Sequence, residues 1–177
     1  MRFVEIDGKR EMTDNLSPKG FEGEVRAMKL PQTGGCQCGA RRYEITLAPY
    51  MVYACHCTDC QRMTSSAFSM AIVLPADAFR LVAGEPRVIQ RTADSGRVTT
   101  RWVCPECGSW ICPAPRPGST VRNVRGGTLD DTSWLRPTVH FWTRSKQPWV
   151  ALPEGAQSFE TQPADMMGFL YSSAEAR

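Results

Sequence analysis

The chain has 177 residues, 42% of them hydrophobic and 22% charged, with a formal net charge of +3. That length supports one domain with a real core and is short for two, and a charge so small, carried by scattered lysines and arginines, argues against a nucleic-acid-binding surface. The longest apolar run, over 68–74, stops at Pro75 and is too short to cross a membrane.

Residues 1–32 are expected to form an N-terminal extension, with mixed charges, few apolar pairs and the turn-rich stretch NLSPKG. Residues 1–27 read as an arm, and Met28 as a second candidate start of translation. The extension lacks the apolar core of a signal peptide, so the expected compartment is the cytoplasm. Organised sequence begins at KLPQTGGCQCG. RRYEITL and YMVYA read as short strands around Pro49, and AFSMAIVL as a longer buried strand. PADAF reads as a turn or a single helical turn. RLVAGEPRVIQRTADSGRVTTRWVC reads as two or three strands, broken at Gly84-Glu85-Pro86 and again at Asp94-Ser95-Gly96, which is a hairpin signal. SWICPAPRPG, TVRNVRGGTLDD, PTVHFWTRS and PWVAL supply further short strands. Only the segment after Cys60 and the tail PADMMGFLYSSAEA have helical character, and the tail is taken as 164–177. No repeat is visible, and the whole describes a mainly β domain over 33–163.

Eight cysteines punctuate this pattern, and seven fall into three tight groups. In a reducing compartment such spacing points to metal ligands or redox centres rather than disulfides. Cys36-x-Cys38 lies between glycines, and Cys104-x-x-Cys107-Gly108 follows a strand in the shape of a zinc knuckle. Together they offer four thiolates, which close a tetrahedron around zinc and cross-link distant segments. A thioredoxin-like redox pair would need a βαβ context that the pattern lacks. The third group is Cys55-x-Cys57-x-x-Cys60, with His56 inside it. Three ligands with one position left open is the arrangement of a catalytic zinc. The alternative is a second structural site completed by His56, His140 or Cys112. His56 is awkwardly placed for this, and Cys112, in WIC, reads as a small buried hydrophobe. Spacing alone also permits Cys36 and Cys38 to pair with the third group instead.

The motifs GGCQCGARRYEI, CHCTDCQRMTSSAFSM, WVCPECGSWI, GTLDD and VHFWTRSKQPWV, in that order, resemble the glutathione-dependent formaldehyde-activating enzyme family, which includes centromere protein V-like proteins. The resemblance covers 33–163. It implies a β-tent fold of antiparallel sheets pinned by zinc. It also implies a structural zinc at Cys36, Cys38, Cys104 and Cys107, and a catalytic zinc at Cys55, Cys57 and Cys60, two ions in all. The implied activity is carbon–sulfur chemistry, in which glutathione adds to formaldehyde or the adduct is cleaved. Zinc with three thiolates carries a net charge of −1 and is a weaker Lewis acid than a three-histidine site, which favours capture of a soft thiol over hydrolysis. Glutathione is anionic, and Gln61, Arg62, Arg101 and Trp110, with His140 further along, are candidates to hold it. Each has a plainer reading: Arg62 and Arg101 as surface or ion-paired residues, Trp102 and Trp110 on a sheet face, His140 as a hydrogen-bonded strand residue. GTLDD reads most simply as a turn, with Asp130 and Asp131 able to orient a basic partner. The expected partners are a small thiol and an aldehyde, with no nucleic acid and no membrane, and a homodimer is allowed for. The alternative function is a zinc-stabilised binding module without catalysis.

Overall fold

A computed structural model describes residues 3–6, 9–12, 28–92, 96 and 98–175. The arm expected over 1–27 lies outside the described residues apart from two short strands, β1 (Phe3–Ile6) and β2 (Lys9–Met12), which pair antiparallel. Three sheets follow. β3 (Gln32–Gly35), β4 (Arg42–Ile45) and β7 (Phe79–Ala83) form the first, in the order β3-β4-β7. β8 (Arg87–Thr92), β9 (Val98–Val103) and β10 (Trp110–Pro113) form the second, with β9 central. The third contains β5 (Met51–Cys55), β6 (Ser69–Pro75), β11 (Val121–Arg125), β12 (Val139–Phe141) and β13 (Gln157–Phe159), in the order β11-β6-β5-β12-β13. Two α-helices are described, α1 (Thr58–Thr64) and α2 (Met166–Glu175). No described helix is long and apolar enough to cross a membrane.

The mainly β class and the antiparallel sheets of the β-tent type are what the chain adopts. One sheet departs from the antiparallel rule. β12 runs parallel to both β5 and β13. Parallel neighbours need long connections rather than tight hairpins; residues 56–138, which include α1 and β6 to β11, separate β5 from β12, and 142–156 separate β12 from β13.

β6 explains why AFSMAIVL reads as a continuous apolar run: both of its faces are covered. On one face Ile72 and Leu74 join Val52, Val124, Tyr43, Ile45, Phe79 and Ile111, so that all three sheets meet in one core. On the other, Val73 packs with Met51, Val139 and Phe141 beneath Leu170 of α2. Each large aliphatic side chain fully buried here contributes about 1.5–3 kcal/mol. Cys112 is fully buried in the first core, and burial pushes its thiol up to about 12, as a small hydrophobe's would be.

PWVAL is not a strand. Val150 N–H donates to the Gln147 carbonyl in a turn, and Lys146 Nζ donates to the Val150 carbonyl at 2.6 Å. Pro148 and Pro153 bracket the stretch and remove two ladder donors. The edge strand of that sheet is instead β13, whose sequence QSF has too few apolar residues to announce itself.

Gly34 in β3 has no room for a side chain. An added Cβ would overlap the Tyr43 ring and the Thr128 carbonyl. Tyr43 is itself fully buried, with its hydroxyl 2.8 Å from Thr128 Oγ1, so it has nowhere to retreat. Gly34→Ala is therefore expected to destabilise the protein by roughly 2–3 kcal/mol, seen as a fall of about 5–10 °C in Tm. A melting curve matching the parent protein's would refute this reading.

Candidate metal centres

Cys36 and Cys38 sit in the β3–β4 turn, where Cys36 N–H donates to the Arg41 carbonyl at 3.0 Å and Arg41 N–H donates to Cys36 Sγ at 3.2 Å. Cys104 and Cys107 sit in the β9–β10 turn, closed by Gly108 N–H to the Cys104 carbonyl at 2.9 Å. Gly108 there has φ of +74°, a conformation that glycine adopts without strain. The two turns belong to different sheets, yet all four sulfurs lie within 4.8 Å of one another. Cys36 and Cys38 Sγ are 3.5 Å apart, and Cys38 and Cys104 Sγ 3.7 Å. A zinc–sulfur bond of about 2.3 Å implies a tetrahedral sulfur–sulfur edge of about 3.8 Å, so the donor set fits a four-thiolate zinc. Hydrogen bonds from Ser109 hold the Cys107 thiol down at about 5, while burial pushes Cys104 up to about 12.

The second group forms where β5 runs into α1. Cys55 ends the strand, Cys57 caps the helix by accepting from the Cys60 N–H at 3.4 Å, and Cys60 lies in its first turn. The helix therefore starts here because a sulfur replaces the usual capping oxygen. The three sulfurs also lie within 4.8 Å of one another, and among the described residues no further His, Cys, Asp or Glu joins them. Packed so closely, they share protons unevenly. The Cys57 thiol falls far below its ordinary range because Cys55 and Cys60 hydrogen-bond to it, and the Cys55 thiol rises far above it through the same contacts. A soft divalent cation is what such a trio suits.

His56 turns away from this group. Its ring is fully buried, with Nε2 3.0 Å from Nδ1 of His140 on β12. Burial, with His140 and Lys146, lowers its pKa to about 4. The loop between Cys55 and Cys57 is held from outside. Gln61 Nε2 donates to the carbonyls of His56 at 2.7 Å and Ser145 at 2.8 Å, and Ser145 Oγ donates to the His56 carbonyl at 3.0 Å. Gln147 Nε2 in turn donates to Gln61 Oε1 at 3.1 Å, and Trp149 Nε1 to Gln147 Oε1 at 2.7 Å. A chain of hydrogen bonds thus runs from the Cys55–Cys57 loop to Trp149, which is 73% exposed.

The four residues proposed from sequence to hold a thiol substrate separate into two places. Gln61 and exposed Arg62 line a cleft of about 510 Å³ beside α1, with Ser65, Ser66, Gln147 and Trp149. Arg101 and Trp110 do not line it. They stack on each other, with the guanidinium 5.1 Å from the ring centre. Arg101 is not the surface residue that a lone arginine suggests, being 7% exposed. Asp130 pairs with Arg42 and accepts from Thr33, and Asp131 accepts from the Ser133 N–H, so GTLDD is a turn tied down by ion pairing. Two residues beside the second group escaped the sequence reading. Arg125 and Tyr53 lie on β11 and β5, the strands on either side of β6, each in register with Ala71.

The family model described as glutathione-dependent formaldehyde-activating enzyme matches residues 31–145. A Talaromyces marneffei protein named for that enzyme is 31% identical over 125 residues, covering 68% of this chain and 66% of its own length. One from Colletotrichum graminicola, named likewise, is 26% identical over 107 residues, covering 58% of this chain and 55% of its own. The chain thus spans between about half and two thirds of the length of these fungal relatives. A Rhodobacter sphaeroides protein of known crystal structure superposes with a TM-score of 0.44 at 21% identity, over 59% of this chain and 91% of that one.

Proposed function

We propose a function from one premise: the chain belongs to the glutathione-dependent formaldehyde-activating enzyme family. Within it, this chain joins a small thiol of the glutathione type to an aldehyde such as formaldehyde, or releases the two again, as a carbon–sulfur lyase. Cys55, Cys57 and Cys60 hold the catalytic zinc, and Cys36, Cys38, Cys104 and Cys107 a structural one. The observation that carries this reading is the second group, where three sulfurs converge and no fourth protein donor is found among the described residues. Bound there, zinc supplies a soft centre with one position for a thiol, whose proton it makes easier to remove.

The chain's own residues account for the rest. The Gln61 and Ser145 hydrogen bonds to the His56 carbonyl fix the loop that sets the spacing of Cys55 and Cys57. Gln61 and Arg62 face a shallow, open cleft beside α1, lined by neither Cys55, Cys57 nor Cys60, where amides and a guanidinium can meet the peptide-like part of a thiol. In the addition the thiol gives up its proton and its sulfur bonds to the carbonyl carbon. The C=O π pair moves onto oxygen, which takes a proton from water. Residues 33–163 form the working unit, with 1–32 and 164–177 as additions, and the setting is the cytoplasm. The test is NMR exchange between free glutathione, formaldehyde and their adduct, with the zinc-loaded protein at a pH where the uncatalysed reaction is slow. Faster exchange is expected. A rate equal to the protein-free control removes formaldehyde as the substrate.

A further inference from the structure

Two buried arginines beside the second cysteine group have no acidic partner. Arg101 and Arg125 are each 7% exposed. They stack on the same indole, with Arg101 5.1 Å and Arg125 4.1 Å from the Trp110 ring centre. Among the described residues no carboxylate lies within ion-pair distance of either. Asp59, whose charge is felt at Arg101, is already paired with Arg91. Arg125 Nη1 donates to Ser69 Oγ at 2.7 Å, and Ser69 is the cross-strand partner of Cys55. Tyr53, two residues before Cys55, meets the same guanidinium. Arg125 Nε and Trp110 Nε1 are buried without a hydrogen-bond partner.

Burying one guanidinium without a counter-ion is costly, and burying two around one ring more so. Burial depresses Arg101, and its like-charged neighbours Arg91 and Arg125 add to this, while Asp59 and Cys60 oppose it. With no carboxylate among the described residues paired to either, the anion available to these cations is the sulfur group, to which Arg125 is tied through Ser69, the cross-strand partner of Cys55. Three thiolates and a divalent cation sum to −1, and a thiolate as the fourth ligand makes −2. Two guanidiniums then balance the site. With a neutral fourth ligand the buried ensemble keeps a surplus positive charge.

We propose that Arg101 and Arg125, splayed about Trp110, select the charge of the ligand that completes the Cys55/Cys57/Cys60 site, favouring an anionic sulfur over a neutral donor. This rests on the zinc-site reading above and deepens it, because it makes both arginines positioning residues for a thiolate. The test uses full-length protein loaded with cobalt(II), whose absorption bands report ligand exchange without any turnover. The four-sulfur site, whose bands do not respond to added ligand, serves as the fold control. Arg125→Met and Arg101→Met should each weaken 2-mercaptoethanol binding by about tenfold or more, the scale of one unit charge a few ångströms away in a partly buried site. Imidazole binding should change by less than about twofold over the same comparison. Arg125→Lys, which keeps the charge, should retain most of the thiolate affinity. Equal losses for both ligands, or no loss for either, would overturn the proposal, as would a lysine variant as weak as the methionine one. Should Arg125→Met fail to fold, Arg101→Met and Arg125→Lys decide by the same criteria. Azide, an anion without sulfur, separates the two readings. If azide binds in an arginine-dependent way and thiols do not bind, the charge selection stands and thiol chemistry falls. If thiols bind regardless of the arginines, the reverse holds.

Discussion

Cys104→Ser should leave the protein without a cooperative melting transition above room temperature, whereas Cys57→Ser should melt close to the parent and carry one zinc in place of two. The asymmetry follows from where the two groups sit. Cys36 and Cys38 hang from the β3-β4-β7 sheet, and Cys104 and Cys107 from the turn that joins β9 to β10. A metal there ties two sheets that share a core, so its binding energy is folding energy. Structural zinc contributes an apparent 10–16 kcal/mol or so in small peptides, while whole domains are stable by only about 5–15 kcal/mol. Losing one of four thiolates can therefore consume the entire margin. Cys55, Cys57 and Cys60 all lie within one strand–helix junction, and the Gln61 and Ser145 hydrogen bonds hold that junction independently of metal. Circular dichroism melts and zinc by mass spectrometry decide the matter. A Cys104→Ser protein with an unchanged Tm and one bound zinc would remove the structural assignment.

The second large effect is on catalysis. Cys57→Ser should reduce the enzyme-dependent exchange of glutathione and formaldehyde by more than the roughly 10–100-fold that outer-shell partners of metal sites typically cost. Gln61→Ala should fall inside that interval, because Gln61 holds the loop and contributes no ligand. Cys112→Ala should leave the rate nearly intact while lowering Tm, since that sulfur is buried in the core. A Cys57→Ser protein with parental activity would mean that the chemistry lies elsewhere.

The grouping of the cysteines was legible in the sequence because each group is local, and spacing within a turn survives without knowledge of the fold. The groups at 36–38, 55–60 and 104–107 form two clusters in space, of four sulfurs and of three. The strands with apolar runs or alternation were legible for the same kind of reason. What could not be read was whatever depends on a partner far along the chain. β13 is a strand because Val139–Phe141 offers it an edge, and nothing in QSF itself demands pairing. PWVAL looked like a strand by composition, but its carbonyls and N–H groups are spent on a local turn. Arg101 and Arg125 look like solvent-facing residues of VTTRWV and VRNVR. Their burial is decided by Trp110, which comes from another strand, and by Ser69, 56 residues away from Arg125.

The separation of the four-sulfur group along the chain has a consequence for synthesis. Cys38 and Cys104, whose sulfurs meet at 3.7 Å, are 66 residues apart. At about 5–20 residues per second, the ribosome exposes Cys36 and Cys38 some 3–13 s before their partners. During that interval the nascent chain displays five thiols, Cys36 and Cys38 with Cys55, Cys57 and Cys60, and any four of them can seize a metal. If zinc fills the four-sulfur group, an ion taken up by that early set would have to be released before Cys104 and Cys107 could close it.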